Sequence, residues 1–128
     1  MESRKSKEAI IDSRPLWNNT GIEVEAGRKY QLRAHGQWTD KEYVCGPAGY
    51  QSPDLLLRLL EWARRAPKCN WFALIGSLDS NEKELFLIGD EVIYTPSRAG
   101  TLTCFANDTR LTYSNNHGKV ILIVTQLD

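Results

Sequence analysis

A polar loop near the carboxyl end of the chain holds the residues best suited to chemistry. Residues 107–118 read Asn-Asp-Thr-Arg-Leu-Thr-Tyr-Ser-Asn-Asn-His-Gly, and nearly all of their ligand atoms are oxygens. Calcium takes about six to eight oxygens from carboxylates, carbonyls and water, and a loop can wrap these around one point. Asp108 would supply charge, and Asn115 and Asn116 would supply neutral dipoles. The loop is therefore a candidate calcium site.

The same composition also suits an ordinary hairpin loop. Asn, Asp, Ser and Gly tolerate left-handed backbone and bond their own main chain, so turn chemistry explains them without a metal. Taken alone, the composition favours this second interpretation. If calcium does bind, a single loop carboxylate such as Asp108 leaves the ion incompletely neutralised and open to ligand hydroxyls. That arrangement suits the vicinal diols of a sugar.

Period-two alternation predicts the strands that must hold this loop. Apolar residues alternate with polar ones, as in Tyr30, Leu32 and Ala34, and turn residues separate the runs. The predicted strands cover about seven segments, namely 22–25, 30–35, 71–78, 84–88, 91–95, 101–106 and 119–127. Many short strands favour two packed antiparallel sheets over a parallel βαβ arrangement. The predicted fold class is an all-β antiparallel sandwich or jelly roll.

One short helix is predicted in the long connection that follows Trp38. Ser52-Pro53-Asp54 resembles a helix entry, and Pro67 ends the segment. From Leu55 to Arg65 apolar residues recur near helical spacing, with charged residues in the gaps. The segment holds more leucine than one helix face needs. It either closes the core or forms a surface for association with another chain.

Length and composition bound the remaining possibilities. The chain has 128 residues, which predicts one domain: a flexible lead or edge strand over 1–14 and a single sandwich over 15–128. Sixteen basic residues balance sixteen acidic ones, so neither nucleic acid nor an anionic membrane is expected as partner. No apolar run approaches the roughly 20 residues that span a bilayer. The first residues lack a secretory signal, so the protein is expected to be cytoplasmic as made or exported by a non-classical route.

An enzyme is not expected. The candidate catalytic groups are His35, His117 and Cys45, and no local signature of a thiol hydrolase surrounds them. Zinc binding is rejected, because no Cys-x-x-Cys or His-x-x-x-His spacing occurs. The odd cysteine count, completed by Cys69 and Cys104, allows either one disulfide with one thiol or three thiols.

A family resemblance rests on the loop spacing Asn-Asp, three residues, Thr-Tyr, one residue, Asn-Asn, one residue, Gly. This spacing resembles the calcium loop of galactophilic lectins of the Pseudomonas PA-I type, with a galactose-binding-like β-sandwich. Further segments are similar in the same order: Asn19-Thr20-Gly21-Ile22, Val24, Ala26-Gly27, 34–38, Gly46-Pro47-Ala48-Gly49, Pro53-Asp54, Leu74-Ile75-Gly76 and Ala99-Gly100-Thr101-Leu102. The resemblance covers most of the chain after Trp17.

The resemblance implies a Ca²⁺ site with a defined set of ligands. Side chains would come from Asp108, Asn115 and Asn116, and a main-chain carbonyl from Thr112. A further carbonyl follows the Trp38 strand, at Thr39 or Asp40, and sequence does not separate these two. If Asp40 turned its carboxylate inward, the site would gain charge.

The resemblance also implies the partner, a galactose-like glycan or glycoconjugate whose adjacent hydroxyls bind the ion. The family has a His before the Pro-Asp pair and a Gln after it, whereas this chain has Ser52 and Leu55. The residues expected beside the sugar are Ser52, Pro53, Asp54, Thr109 and His117. Homo-oligomers are expected, because family members are multivalent. The alternative function is an interaction module that has lost sugar binding and associates through its Leu-rich helix.

Overall fold

Two antiparallel sheets form the part of the chain that a computed structural model describes, residues 5–51 and 60–128. The first sheet has the order β1 (Ser6–Asp12), β9 (Asn116–Gln126), β3 (Tyr30–Asp40) and β4 (Tyr43–Cys45), and β7 (Glu91–Tyr94) also pairs with β3. The second has the order β2 (Asn18–Val24), β8 (Gly100–Ala106), β5 (Leu74–Leu78) and β6 (Phe86–Leu87). The predicted all-β sandwich is confirmed.

The core lies between the two sheets and follows the period-two pattern. On β3 the even-numbered residues Tyr30, Leu32 and Trp38 are buried, and on β9 Val120 and Leu122 are buried. Successive side chains of a strand point to opposite faces, so the even-numbered residues of β3 and β9 face the second sheet. Burying such apolar surface contributes roughly 25 cal/mol per Å² to folding. Polar residues at the strand ends also face the space between the sheets when they have this parity.

Several strand bounds differ from those predicted. β1 lies at the edge of the first sheet, within the segment expected to be a flexible lead or an edge strand. β4 was not predicted, and β3 continues to Asp40. Strand β5 begins only at Leu74, because Phe72 adopts a left-handed φ of 62° that no regular strand accommodates. Within the described part of the chain, no helix is long and apolar enough to cross a bilayer.

The predicted helix is wrong over its described end. Over residues 60–65 the structure has only a 3-10 turn at Glu61–Ala63, and Arg64 is already extended, with ψ at 147°. The burial also differs from that of the predicted helix, in which apolar residues face the core. The side chain of Arg65 is 1% exposed, whereas Trp62 is 75% exposed. Both arginine side chains are held by hydrogen bonds: Arg64 donates to the Pro67 carbonyl, and Arg65 donates to Glu82 and Tyr113. The rest of the prediction, including residues 52–59, lies outside the described residues.

Candidate metal centre

A cavity of about 110 Å³ lies at one end of the sandwich, between the end of β3 and residues 107–115, hereafter the site loop. Its walls are formed by Asp40, Lys41, Tyr43, Leu60, Trp71, Asp108, Thr109, Thr112 and Asn115. Both acidic residues of this set are nearly fully buried. The cavity therefore combines a small volume with two carboxyl groups in a low-dielectric environment.

Sheet register brings Asp40 and Asn116 together. Asp40 is the last residue of β3, and it pairs directly with Asn116, the first residue of β9. Each has the parity of the core residues on its own strand, and both are buried. Residues directly opposite in an antiparallel pair have Cβ atoms about 4.5–5.5 Å apart. A carboxyl group and an amide therefore lie side by side on the inner face, where the hydrophobic core ends.

Strand β1 fixes the orientation of the Asn116 amide. The Nδ2 atom of Asn116 donates a hydrogen bond to the main-chain oxygen of Ser13 at 2.9 Å. Ser13 is itself held to β9, because its amide and its hydroxyl both donate to the Gly118 carbonyl, at 3.1 and 3.0 Å. One N–H of the amide is thus committed, which fixes the amide's orientation and leaves the Oδ1 atom as the end that can act as a ligand.

Asp108 anchors the site loop with one carboxylate oxygen. Its Oδ1 atom accepts hydrogen bonds from the Thr109 amide at 2.7 Å and from the Thr112 hydroxyl at 2.6 Å. Its Oδ2 atom is buried and has no hydrogen-bond partner among the described residues. The carboxylate is therefore held rigidly by one oxygen, and the other oxygen is available.

Three buried oxygens in this region lack a donor anywhere in the described part of the chain: Asp108 Oδ2, Asn115 Oδ1 and Asn116 Oδ1. Leaving a buried acceptor unsatisfied costs about 1–3 kcal/mol, and native proteins rarely tolerate several together. Among residues 5–51 and 60–128, no basic side chain forms a salt bridge to Asp40 or Asp108. All three oxygens are ligand atoms that calcium prefers, so the donor set fits a hard cation.

The candidate ligands form a cluster only when the asparagine amides are counted together with the carboxylates. Within residues 5–51 and 60–128 no three His, Cys, Asp or Glu side chains come together. A zinc-type or all-carboxylate site is thus not formed by these residues. Calcium also takes amide and main-chain carbonyl oxygens, so two carboxylates with two asparagines remain a suitable set.

Asp40 is held by an aromatic pair. The Tyr50 hydroxyl donates to Asp40 Oδ2 at 2.7 Å, and the Tyr50 ring stacks on Tyr43 at 5.1 Å between centroids. Gly49 allows this placement, because a Cβ at that position would lie 2.3 Å from the Trp71 carbonyl oxygen. Burial raises the pKa of Asp40, and the Tyr50 hydrogen bond and the nearby Lys41 charge oppose the rise.

The pKa of Asp108 is raised to about 6, chiefly by burial. Hydrogen bonds from Thr112 and Thr109 and the nearby Asn116 amide lower the pKa, whereas the charge of Asp40 raises it. Two buried carboxylates that repel one another are costly unless a cation lies between them. Burial, together with the neighbouring Asp40 charge, therefore makes the ionised form of Asp108 costly without a cation.

The structure brings most of the predicted metal ligands together. Asp40, Asp108, Thr112 and Asn115 line the cavity, and Asn116 pairs with Asp40. Thr39 has the opposite parity on β3, so its side chain leaves the inner face and only its main chain adjoins the site. The Thr112 carbonyl already accepts a 3.3 Å hydrogen bond from the Asn115 amide.

The predicted sugar contacts are brought together only in part. Thr109 lines the cavity, as predicted for a residue beside the ligand. His117 is exposed and has the opposite parity to Asn116, so it lies on the outer face of β9. Ser52, Pro53 and Asp54 lie outside the described residues.

Four cavity residues were not predicted. Lys41 lies in the tight β3–β4 connection and Tyr43 begins β4, whereas Trp71 was placed only in a predicted strand and Leu60 in the predicted helix. Lys41 adopts a left-handed φ of 57°, and its amide donates to the Asn115 carbonyl at 3.1 Å, which ties this connection to the site loop. A non-glycine residue with positive φ is uncommon and often accompanies a functional site.

The cysteines do not resemble catalytic nucleophiles. Cys45, Cys69 and Cys104 are all thiols. Burial, with a smaller contribution from Asp40, raises the pKa of Cys45 to about 12. The thiolate is the reactive form, so this environment suppresses the chemistry that a thiol enzyme needs.

Comparison with known proteins supports the fold. No protein-family model matches the chain, and no curated protein sequence does. Eight chains of known structure match. Among them is the "EclA N-terminal domain; PllA-like lectin", which is 19% identical, with a TM-score of 0.72 over 94% of this chain and 95% of that one. At this identity the likeness concerns architecture, so the chain is similar in fold to a lectin domain.

Proposed function

We propose that this chain is a calcium-dependent carbohydrate-binding protein that recognises galactose-like glycans through sugar hydroxyls on the bound ion. The observation that carries the proposal is the set of three buried, unsatisfied oxygens of Asp108, Asn115 and Asn116. They coincide with the side-chain ligands that the family resemblance implies. The lectin-like fold of a structural neighbour adds independent support.

Asp40 extends this ligand set. Its position on the inner face, opposite Asn116, gives the site a second carboxylate in place of a main-chain carbonyl alone. With Asp108, the two negative charges offset the charge of one Ca²⁺. We expect this ion to be held more tightly than a site with a single carboxylate would hold it.

The protein's own residues would orient the glycan without reacting with it. Calcium supplies, when bound, a fixed point for two adjacent hydroxyls. Carboxylate oxygens of Asp40 and Asp108 can accept hydrogen bonds from those hydroxyls. The Trp71 and Tyr43 rings in the cavity wall offer apolar surface to the sugar's C–H face. Discrimination between sugars would follow from which pair of hydroxyls fits the ion.

Calorimetry with paired sugars tests this function. Galactose and its C4 epimer glucose would each be titrated into calcium-loaded protein, into protein in chelator, and into the Asp108→Asn variant. We expect binding of galactose in the first sample alone, and weaker or no binding of glucose. Calcium binding without any response to galactose would remove the sugar assignment and keep the metal. A protein partner retained in chelator would instead favour the interaction module.

Calcium affinity should depend on pH through Asp108. A proton competes with the ion for this carboxylate, whose pKa is about 6 in the calcium-free protein. Affinity should be constant well above pH 6 and weaken as pH falls through that value, by about tenfold at pH 5. Titrations at pH 7.5, 6 and 5 in one buffer series of constant ionic strength would measure this. Equal affinity at all three values would contradict the role given to Asp108.

A further inference from the structure

The side chain of Arg65 is a buried cation that lies behind the site loop. It is 1% exposed, and its Cζ atom lies 3.5 Å from the centroid of the Phe105 ring and 4.9 Å from that of Trp17. The guanidinium donates to the carboxylate of Glu82 and to the main-chain oxygen of Leu16. A buried cation this well packed and hydrogen-bonded holds a single geometry.

Two of its contacts reach the site loop. The Arg65 amide donates to the Asp108 carbonyl at 3.1 Å, and its Nη1 atom donates to the Tyr113 hydroxyl at 2.8 Å. The Tyr113 hydroxyl in turn donates to the Ala106 carbonyl at 2.7 Å, within the core. Arg65 therefore contacts the loop on both sides of its turn, at Asp108 through its main chain and at Tyr113 through its side chain, and only the second contact depends on the guanidinium.

The loop needs such support because it lies between strands. Asn107 is held by main-chain hydrogen bonds to Phe72 and Ala73. Residues 108–112, which lead from there to the 3-10 turn at Tyr113–Asn115, make no strand hydrogen bonds. Local side-chain bonds around Asp108 shape the turn, but they do not fix it relative to the sheets. Main-chain bonds at Asn107 and Asn115 hold the two ends of the loop. The contacts from Arg65 tie the residues between these ends to β8, because Phe105 and Ala106 belong to that strand.

We infer that Arg65 is a positioning residue that sets the distance between the Asp108 carboxylate and the inward-facing pair Asp40 and Asn116. The inference rests on the proposed calcium site. Calcium ligands must converge within a few tenths of an ångström, so loosening the loop at one point weakens binding although no ligand is lost. Arg65 touches neither the ion nor the sugar, and it acts only through the loop.

Arg65→Met is the most direct substitution. Methionine fills most of the space over Phe105 but cannot donate to Tyr113 or Glu82. Glu82 is left with a partner, since the Arg110 Nη2 atom lies 2.7 Å from its Oε1 atom. Arg65→Lys keeps the charge and loses the forked geometry, so it should have an intermediate effect.

Arg98→Met provides the matched control. Arg98 also binds a carboxylate, that of Asp79 at 2.8 Å, and a main-chain carbonyl, that of Leu78 at 3.1 Å, but it supports a different loop. Both substitutions should lower the melting temperature. Only Arg65→Met should change the site loop, which separates positioning from general stability.

Hydrogen exchange in chelator and calcium affinity below the melting transition are the two readouts. For Arg65→Met we expect amides of residues 108–115 to exchange about tenfold faster and the calcium Kd to rise about tenfold, with neither change in Arg98→Met. Tyr113→Phe should share the effect, and the double variant should be less than additive. If Arg65→Met does not fold, the exchange rates and calcium affinities of Arg65→Lys and Tyr113→Phe can be compared with those of Arg98→Met instead.

The two readouts also separate this inference from the proposed function. Unchanged exchange over the site loop in Arg65→Met, or an equal change in Arg98→Met, would overturn the positioning role. If the wild-type protein bound no calcium, the proposed function would fail, while faster exchange confined to residues 108–115 would still establish that Arg65 orders this loop.

Discussion

Replacing Asp108 by asparagine should abolish calcium binding and at the same time stabilise the calcium-free protein. The substitution keeps an oxygen for the Thr109 and Thr112 hydrogen bonds but removes the buried charge. It also introduces an amide donor into a region where Asn115 and Asn116 have unsatisfied oxygens. A functional residue that costs stability is expected where ligand binding compensates for it.

The raised pKa of Asp108 explains why the substitution should stabilise the calcium-free protein. Because that pKa is about 6 in the folded protein and 3.8 ordinarily, the folded state binds a proton between these values that the unfolded chain does not. Wild-type protein in chelator should therefore gain stability as pH falls through this window. At pH 7.5 the ionised carboxylate costs stability, so the Asp108→Asn variant should be more stable by about 1–3 kcal/mol.

Thermal unfolding at pH 7.5 measures both the stability of the calcium-free protein and its response to calcium. In chelator the melting temperature of Asp108→Asn should exceed that of the wild type, and added calcium should raise only the wild-type value. Asp90→Asn, which changes an exposed carboxylate in another turn, serves as the control and should behave like the wild type. A variant that is destabilised in chelator, or that still responds to calcium, would contradict the account of this residue.

Replacing Asp40 by asparagine should weaken calcium binding on the order of a hundredfold without abolishing it, since affinity depends on the charge of the ligand set. The buried carboxylate lies opposite Asn116 at the end of β3, and its loss leaves Asp108 as the only anionic ligand expected from the described residues. In calorimetry the stoichiometry should stay at one ion per chain.

Tyr50→Phe gives a graded comparison for Asp40. It removes the 2.7 Å hydrogen bond to Asp40 Oδ2 but keeps the charge and the stacking on Tyr43. Its effect on calcium affinity should be small beside that of Asp40→Asn. Equal affinities for the wild type and Asp40→Asn would show that only the main chain of this segment contacts the ion.

The sandwich could be predicted from sequence because alternation is strong where both sheets bury one face. Tyr30, Leu32 and Trp38 share one parity, and continuing that parity by two residues would have placed the Asp40 carboxylate inside. The pattern broke off at Trp38 because polar residues replace apolar ones as the inner face reaches the cavity. The alternating pattern therefore did not predict the last residues of β3, where polar side chains of the cavity replace the apolar side chains of the core.

The helix prediction failed for a different physical reason. Helical spacing of leucines cannot show that an arginine is buried, because burial of Arg65 depends on Phe105, Trp17 and Glu82, which are distant in sequence. The orientation of Asn116 depends likewise on Ser13, more than a hundred residues away. Loop spacing can propose the ligands of a site, but the residues that orient them come from other elements.

Calcium titration by calorimetry into chelator-stripped protein at pH 7.5 tests the central claim most directly. With three buried oxygens unsatisfied and two buried carboxyl groups at one cavity, we predict saturable binding of one ion per chain that is lost in Asp108→Asn. Absence of any saturable heat in the wild type, or equal binding by the variant, would show that residues 107–115 are a hairpin loop built by turn chemistry alone.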